Sequence, residues 1–564
     1  MARIPPGLFR ATTLNQAMAV LLDMPTVPWT TEAFHRSTWE TDQVDAFISH
    51  SWHSGPWLKC FALCFDYNLG RAAVASVATF LLSSMSLYLS AAGDQSHYAQ
   101  DALATSVWVL PLTVDLPMVV FFTLFFFGHL VAQEQPTSTV WLDKACIYQV
   151  ELDEKQQAIA ALPDFLKQSA RVLVLWDETY FSRLWCNLEI ATFARSHPNP
   201  GGIRILSRWM AVWLLSSLLT AWFGVRFVWP WYMTINDTVE QSFVVSYLMT
   251  TRTAFDFIAH AMVGFIPIFV CQTPEHTVAA LAFTYKARQN NIMLEHFSNF
   301  DVRNAQCTVS DDRPALYDQI ARLFDGIDEM PISVEFGAPE SFGEPLTSDV
   351  AREPSEQVEL LRSSPRLRGI TSYPSQEECL VMFNEYVRTE LCSQIIADLG
   401  GPSQFRWNLA ILSFLPHLFF LIEFEYLQCE QAGCAVLPKL YGLGSITQYW
   451  LLVLMLYAYI WVVLLPLSCP GNIWLVNAIS PHGGGPLRWL LTLLVGPFIS
   501  FCSALAQSIF WGAVSELLMK GCCTLPLLVL LSLLAASALL WKAAFLDPNW
   551  TRKLSTRACM RCVP

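Results

Sequence analysis

Eight apolar stretches constrain this chain more than any other feature: Ala72–Ala92, Val107–Val131, Trp209–Trp231, Ala254–Val270, Leu409–Phe424, Gln448–Leu467, Trp489–Trp511 and Leu525–Phe545. A helix needs about twenty such residues to cross the hydrocarbon of a bilayer, where only a helix or a closed barrel satisfies its own backbone. With 54% hydrophobic and only 14% charged residues, the chain falls well short of the charge content of soluble domains. These features predict a multi-pass membrane protein whose first partner is the lipid bilayer. A net charge of −13 argues against nucleic acid, since phosphate binding needs a basic face.

Between the spans lie stretches with a different pattern. Val172–Trp176 is an apolar run suited to a buried strand, Asp177–Ser182 suits its polar exit loop, and Leu184–Phe193 has helical spacing. Asp45–Ser49 and Val140–Leu142 read as two further strands, and Ile203–Leu206 as a fourth. Residues 1–44 show no strong period and are expected to be a lead-in. In the polar stretch Thr273–Gln404, Phe300–Thr308 reads as a strand, Ala315–Phe324 as a helix with Asp312 at its N-cap, and Glu377–Leu399 as a helix. Residues 331–376, rich in Pro, Ser, Glu and Arg, read as a linker.

The wording of three of these blocks resembles TIR domains. Tyr180, Ser182, Trp185-Cys186 and Glu189-Ile190 are similar to a Y-x-S-x-x-W-C-x-x-E-L signature, and Asp45-Ala46-Phe47-Ile48-Ser49 resembles the first TIR strand. Val140 to Gln149 is closest to the TIR-like HET domains. The resemblance implies an α/β flavodoxin-like (TIR-like) domain, with the first strand between the second and third in parallel pairing, attached to an all-α transmembrane bundle of about eight helices. It further implies a signalling or self-associating module and, for members that hydrolyse NAD, a catalytic acid at Glu189. NAD would then be substrate, with no resident cofactor.

On this reading the chain divides into 1–70 (lead-in and first strand), 71–132 (membrane hairpin) and 133–208 (remainder of the TIR-like domain). Then come 209–272 (second hairpin), 273–405 (strand-helix segment and linker), 406–546 (four spans) and 547–564 (basic tail). Lys and Arg concentrate in Gln133–Arg208 and after Phe545, so the positive-inside rule predicts that both termini and the TIR-like pieces are cytosolic. Asn236-Asp237-Thr238 is then a glycosylation acceptor in an outer loop. Cys429 and Cys434 fall in another, where a disulfide can form.

Glu189 admits two readings: a carboxylate that stabilises the oxocarbenium-like state of glycosyl cleavage, or a structural group serving a helix dipole or an ion pair. Ser49, His50 and Trp52 at the end of the first strand, Asp143 and Lys144 at the end of the second, and Trp185 are the candidate substrate contacts. Trp52 can stack on a base or pack on the next helix, and Asp143 can cap a helix instead of touching ligand. Asp115, Arg226, Asp256 and His260 are ionisable groups inside spans, which are expensive there and mark either function or interhelical pairing, Asp256 with Arg226 for example. Sixteen cysteines show no paired C-x-x-C spacing for zinc. Cys60, Cys64, Cys559 and Cys562 are juxtamembrane candidates for acylation.

Overall fold

The computed structural model describes residues 7–22, 31–51, 55–93, 109–131, 139–197, 202–228, 256–307, 309–325, 374–399, 405–420, 443–479, 486–520 and 524–546, with Pro5 and Pro438. Trp52, the Asn236 triplet, Cys429, Cys434, Cys559, Cys562 and most of the 331–376 stretch lie outside them. The chain divides into two compact units: Met1–Gly55 with Pro136–Leu206 and Leu294–Asp398, and Pro56–Gln135 with Ser207–Met293 and Leu399–Pro564.

The first unit holds a six-stranded mixed sheet: β1 (Arg10–Thr13), β2 (Thr38–Glu40), β3 (Ala46–His50), β4 (Thr139–Trp141), β5 (Val172–Leu175) and β6 (Ile203–Leu206), in the order β2-β1-β4-β3-β5-β6. β3 pairs in parallel with β4 (Phe47 opposite Trp141) and with β5 (His50 opposite Leu175), and β5 pairs in parallel with β6. The first strand thus lies between the second and third of the predicted strands. Parallel strands covered on both faces need apolar residues at every position instead of alternation, and β3 and β5 are buried along their whole length. Trp141 stacks on Phe47 at 4.4 Å, and Phe165 stacks on Phe9 at 4.8 Å.

Two expectations for this unit fail. The lead-in is not featureless: β1 pairs antiparallel with β2 and with β4, and buried Arg10 donates from Nε to Thr38 Oγ1 at 2.8 Å. Strands of three or four residues are too short to show a period. Phe300–Thr308 is not a strand, because Asp301 accepts the Arg303 backbone N–H and bends the chain into a 3-10 turn, Val302–Asn304. Only Gln306 makes a bridge, to Arg183. The helix Arg313–Leu323 begins at Asp312, whose side chain makes no capping bond. Ser375 and Glu378 form a reciprocal capping box at the start of Gln376–Tyr386, satisfying two otherwise orphaned N–H groups.

The second unit is all-helical among the described residues. Among the described residues six helices are long and apolar enough to cross a membrane: Pro56–Leu87, Pro111–Val131, Arg208–Phe227, Ile446–Ile479, Pro486–Val514 and Thr524–Phe545. Of the other two expected spans, Ala254–Val270 falls at the start of the helix Asp256–Ser298, and Leu409–Phe424 runs beyond the described residues. The short helix expected at Pro56–Tyr67 continues without a break to Gly93. A single Gly70 costs too little to stop it, and buried Asn68 anchors it by donating to the Phe125 carbonyl at 2.9 Å. Cys60 and Cys64 are buried, which opposes the expectation that they are acylated.

Candidate functional site

The carboxyl ends of parallel strands leave their last carbonyls and side chains at one rim, where open α/β sheets bind ligands. At this rim β3 ends in Ser49 and His50, β4 leads through Leu142 into Asp143, and β5 leads through Trp176 into Asp177. The helix Leu184–Ser196 starts beyond the β5 exit loop and carries Glu189 in its second turn. The loop is held by an Asx-type turn, since Asp177 Oδ1 accepts both the backbone N–H (2.8 Å) and the hydroxyl (2.6 Å) of Thr179. Thr179 Oγ1 in turn meets Ser51 Oγ at 2.7 Å, tying the loop to the end of β3.

Glu189 is half-buried and points at β3, with Ser49 Oγ donating a short hydrogen bond to its Oε2. Ser49 Oγ also lies 2.5 Å from the Tyr180 hydroxyl. A serine hydroxyl has one proton to give, so when Ser49 donates to Glu189 it is Tyr180 that donates to Ser49. Burial first, then the neighbouring Cys186 and Glu189, hold the Tyr180 phenol well above its usual pKa, so it stays a donor. The chain Tyr180–Ser49–Glu189 therefore polarises in one direction, which strengthens each bond in it. Among the described residues no Lys or Arg forms an ion pair with Glu189.

Burial pushes the Glu189 carboxyl up from 4.5 to about 8; the Ser49 hydrogen bond opposes this, Asp143 reinforces it and Arg183 opposes it more weakly. Because the folded protein then holds a proton that the unfolded chain has released, stability should fall as pH rises between about 4.5 and about 8 and level off above that. Urea titrations of wild type and Glu189→Gln across this range test the point: the variant should lose most of the slope. Equal slopes would show that Glu189 does not titrate in that window.

The other expected contacts divide. His50 is buried, with Nε2 3.6 Å from Asp143 Oδ1 and Nδ1 3.2 Å from the Ser51 carbonyl. Asp143 Oδ1 takes the Lys144 backbone N–H at 2.6 Å, a helix-start contact. Lys144 and Trp185 are half-buried. Cys186 is fully buried with Sγ 3.8 Å from the His50 carbonyl, and burial, then Glu189, keeps its thiol protonated. The residue that sequence reasoning passed over as a site member is Tyr180. It stood in the motif, but nothing in the spacing said that it would reach Ser49.

The span residues belong to the second unit. Arg226 pairs with Asp115, its Nε 3.1 Å from Oδ2, while Trp222 Nε1 donates to Oδ1 at 2.8 Å. Each partner sits in a π-helical turn, Gly224–Val228 and Pro111–Asp115, a local widening that re-aims side chains. Asp256 opens its helix; its side chain and that of His260 lie outside the described residues. No group of three His, Cys, Asp or Glu side chains among the described residues is placed to hold a metal ion. The chain matches no family model, no curated protein and no solved structure.

Proposed function

We propose that the first unit is a TIR-like domain of flavodoxin-like order, tethered to the membrane as a signalling module, and that it hydrolyses NAD with Glu189 as the catalytic carboxylate. The observation that carries this reading is the Glu189 carboxyl at the carboxyl-end rim of β3, oriented by Ser49 and Tyr180 and, among the described residues, in no ion pair with a Lys or Arg. In the reaction the bond between the nicotinamide nitrogen and ribose C1′ breaks and nicotinamide leaves as a neutral base. Water adds to C1′ and gives up one proton. The ionised Glu189 stabilises positive charge developing on the ribose, as carboxylates do in glycoside cleavage. Asp143, Lys144, His50, Trp52 and Trp185 surround the substrate on this reading, and TIR-type self-association would bring two such domains together.

The test is nicotinamide release from NAD by the full-length protein in detergent. Since the carboxylate is the active form and the free group titrates at about 8, kcat/KM should rise with pH toward that value. No release at any pH would move the weight to a non-catalytic scaffold. The proposal includes eight spans, with Ala254–Val270 and Leu409–Phe424 added to the six apolar helices, and cytosolic termini. Impermeant cysteine labelling in sealed cells should then reach residues 93–105 and the Asn236 loop but not 140–200. Labelling of the latter would overturn a cytosolic TIR-like domain. A second reading, a transporter or channel carrying this domain as a regulator, is favoured by polar groups buried in the helical unit.

A further inference from the structure

The helix Asp256–Ser298 turns polar side chains into an otherwise apolar bundle. Gln272 and Gln507 exchange amide hydrogen bonds at 3.3 and 3.1 Å, Gln507 Nε2 donates to Ser503 Oγ at 2.9 Å, and Thr273 Oγ1 donates to Ser500 Oγ at 3.1 Å. One turn further on, Glu275 pairs with His417, Oε2 to Nε2 at 2.8 Å. Both are buried, Glu275 to 1% exposure and His417 to 6%. The next residue, His276, is also 1% exposed, and its Nε2 has no hydrogen-bond partner among the described residues. The Phe414 ring lies 5.9 Å from the His276 ring and 6.0 Å from that of His417. Asn472 Oδ1 and Ser508 Oγ are further buried polar atoms in the same unit without partners among the described residues.

These groups are not explained as packing. A buried ion pair is on average no more stabilising than apolar residues of the same volume, and a buried imidazole nitrogen with nothing to bond is destabilising. Ionisable side chains deep in a helical bundle typically serve proton or ion paths. The other titratable groups near the pair are the thiols of Cys271, one turn back on the same helix, and of Cys469 on Leu465–Ile479, beside which lie the Ser413 and Ser468 hydroxyls. Helix Pro486–Lys520 sets Ser500 against Thr273, and Ser503 and Gln507 against Gln272. Lys286 lies three turns on, over the rings of Trp209 and Phe405. Pro274, lacking an N–H, interrupts the helical ladder just before Glu275.

We propose that Glu275, His417 and His276 form a proton-carrying relay through the helical unit, a function separate from the chemistry of the sheet domain. One proton is shared between Glu275 Oε2 and His417 Nε2, and the open lone pair or N–H of His276 Nε2 is the next station. Each step moves a single proton between an oxygen and a nitrogen lone pair, or between nitrogens, with no other bond made or broken. The amide and hydroxyl ladder of Gln272, Gln507, Ser503 and Ser500 continues the polar path along the same helix.

The test is proton flux into liposomes holding the full-length protein and a trapped pH-sensitive dye, driven by a potassium diffusion potential. Wild type should acidify or alkalinise the lumen faster than protein-free vesicles, and Glu275→Gln should fall to the protein-free rate. Because Glu275→Gln leaves His417 without its acid and can prevent assembly, His276→Phe is run beside it; this change leaves the Glu275–His417 pair intact and should also abolish the flux. Wild-type flux no greater than in empty vesicles, or either assembled variant conducting like wild type, overturns the relay. NAD hydrolysis by the same preparations should be unchanged in both variants, so failure of the relay and failure of the enzymatic reading are told apart.

Discussion

Replacing Glu189 with Gln is expected to lower NAD cleavage by roughly 10²–10⁴-fold, the range lost with a positioned acid-base or charge-stabilising group. The amide keeps the shape and can still accept from Ser49 Oγ, so the hydrogen-bonded chain from Tyr180 survives while the negative charge is removed. KM should change little, because the loss falls on a state that exists only as the glycosidic bond breaks. Expression and membrane insertion should match wild type. Removing a carboxyl whose ionised form is disfavoured by burial takes away an electrostatic liability and adds none. Loss of folding in the variant, with no catalytic phenotype in any folded fraction, would identify Glu189 as structural.

The second large effect is on stability. Trp141 is fully buried at the centre of the sheet's aromatic layer, stacked on Phe47 and tilted against Phe165 at 5.8 Å. Trp141→Ala removes the largest side chain of that layer and should cost about 3–5 kcal/mol, the usual range for an aromatic deleted from a core. Against a domain stability of roughly 5–15 kcal/mol, that is a large share. The indole Nε1 has no hydrogen-bond partner among the described residues, so Trp141→Phe discards an unsatisfied donor together with the carbon it loses and should cost less. Pulse proteolysis of the full-length protein in urea measures both. An alanine variant within about 1 kcal/mol of wild type would mean that the layer is not the core of the unit.

Much of this architecture can be read from the chain because long apolar runs and buried parallel strands leave signals that survive without context. Val172–Leu175 and Ile203–Leu206 are strands where the apolar runs lie, and β3 takes its place between β4 and β5. What is illegible is local or non-local in a way that composition does not record. The strand Arg10–Thr13 exists because β4 and β2 flank it, and Phe300–Thr308 loses its β character to a single carboxylate at Asp301. Tyr180 meets Ser49 across 131 positions of sequence. Glu275 and His276 follow the apolar run Ala254–Val270 after Gln272, Thr273 and Pro274 and read as part of a polar segment. That the helix continues through them into the bundle is a tertiary fact, although an adjacent acid and imidazole at the edge of a span was the signal to heed.

The interruption of the sheet has a consequence for synthesis. β3 is complete once His50 leaves the ribosome, but its parallel neighbours are residues 139–141 and 172–175, on the far side of a helical pair. At about 5–20 residues per second, the delay before Leu175 emerges is on the order of ten seconds. Until residues 139–141 emerge a largely apolar strand has neither edge paired, and until Leu175 emerges one edge stays open, a hazard that proteins ordinarily blunt. The nascent amino-terminal segment should therefore gain from chaperones, and pausing of translation between the helical pair and β5 should raise the fraction of chains that aggregate before the sheet closes.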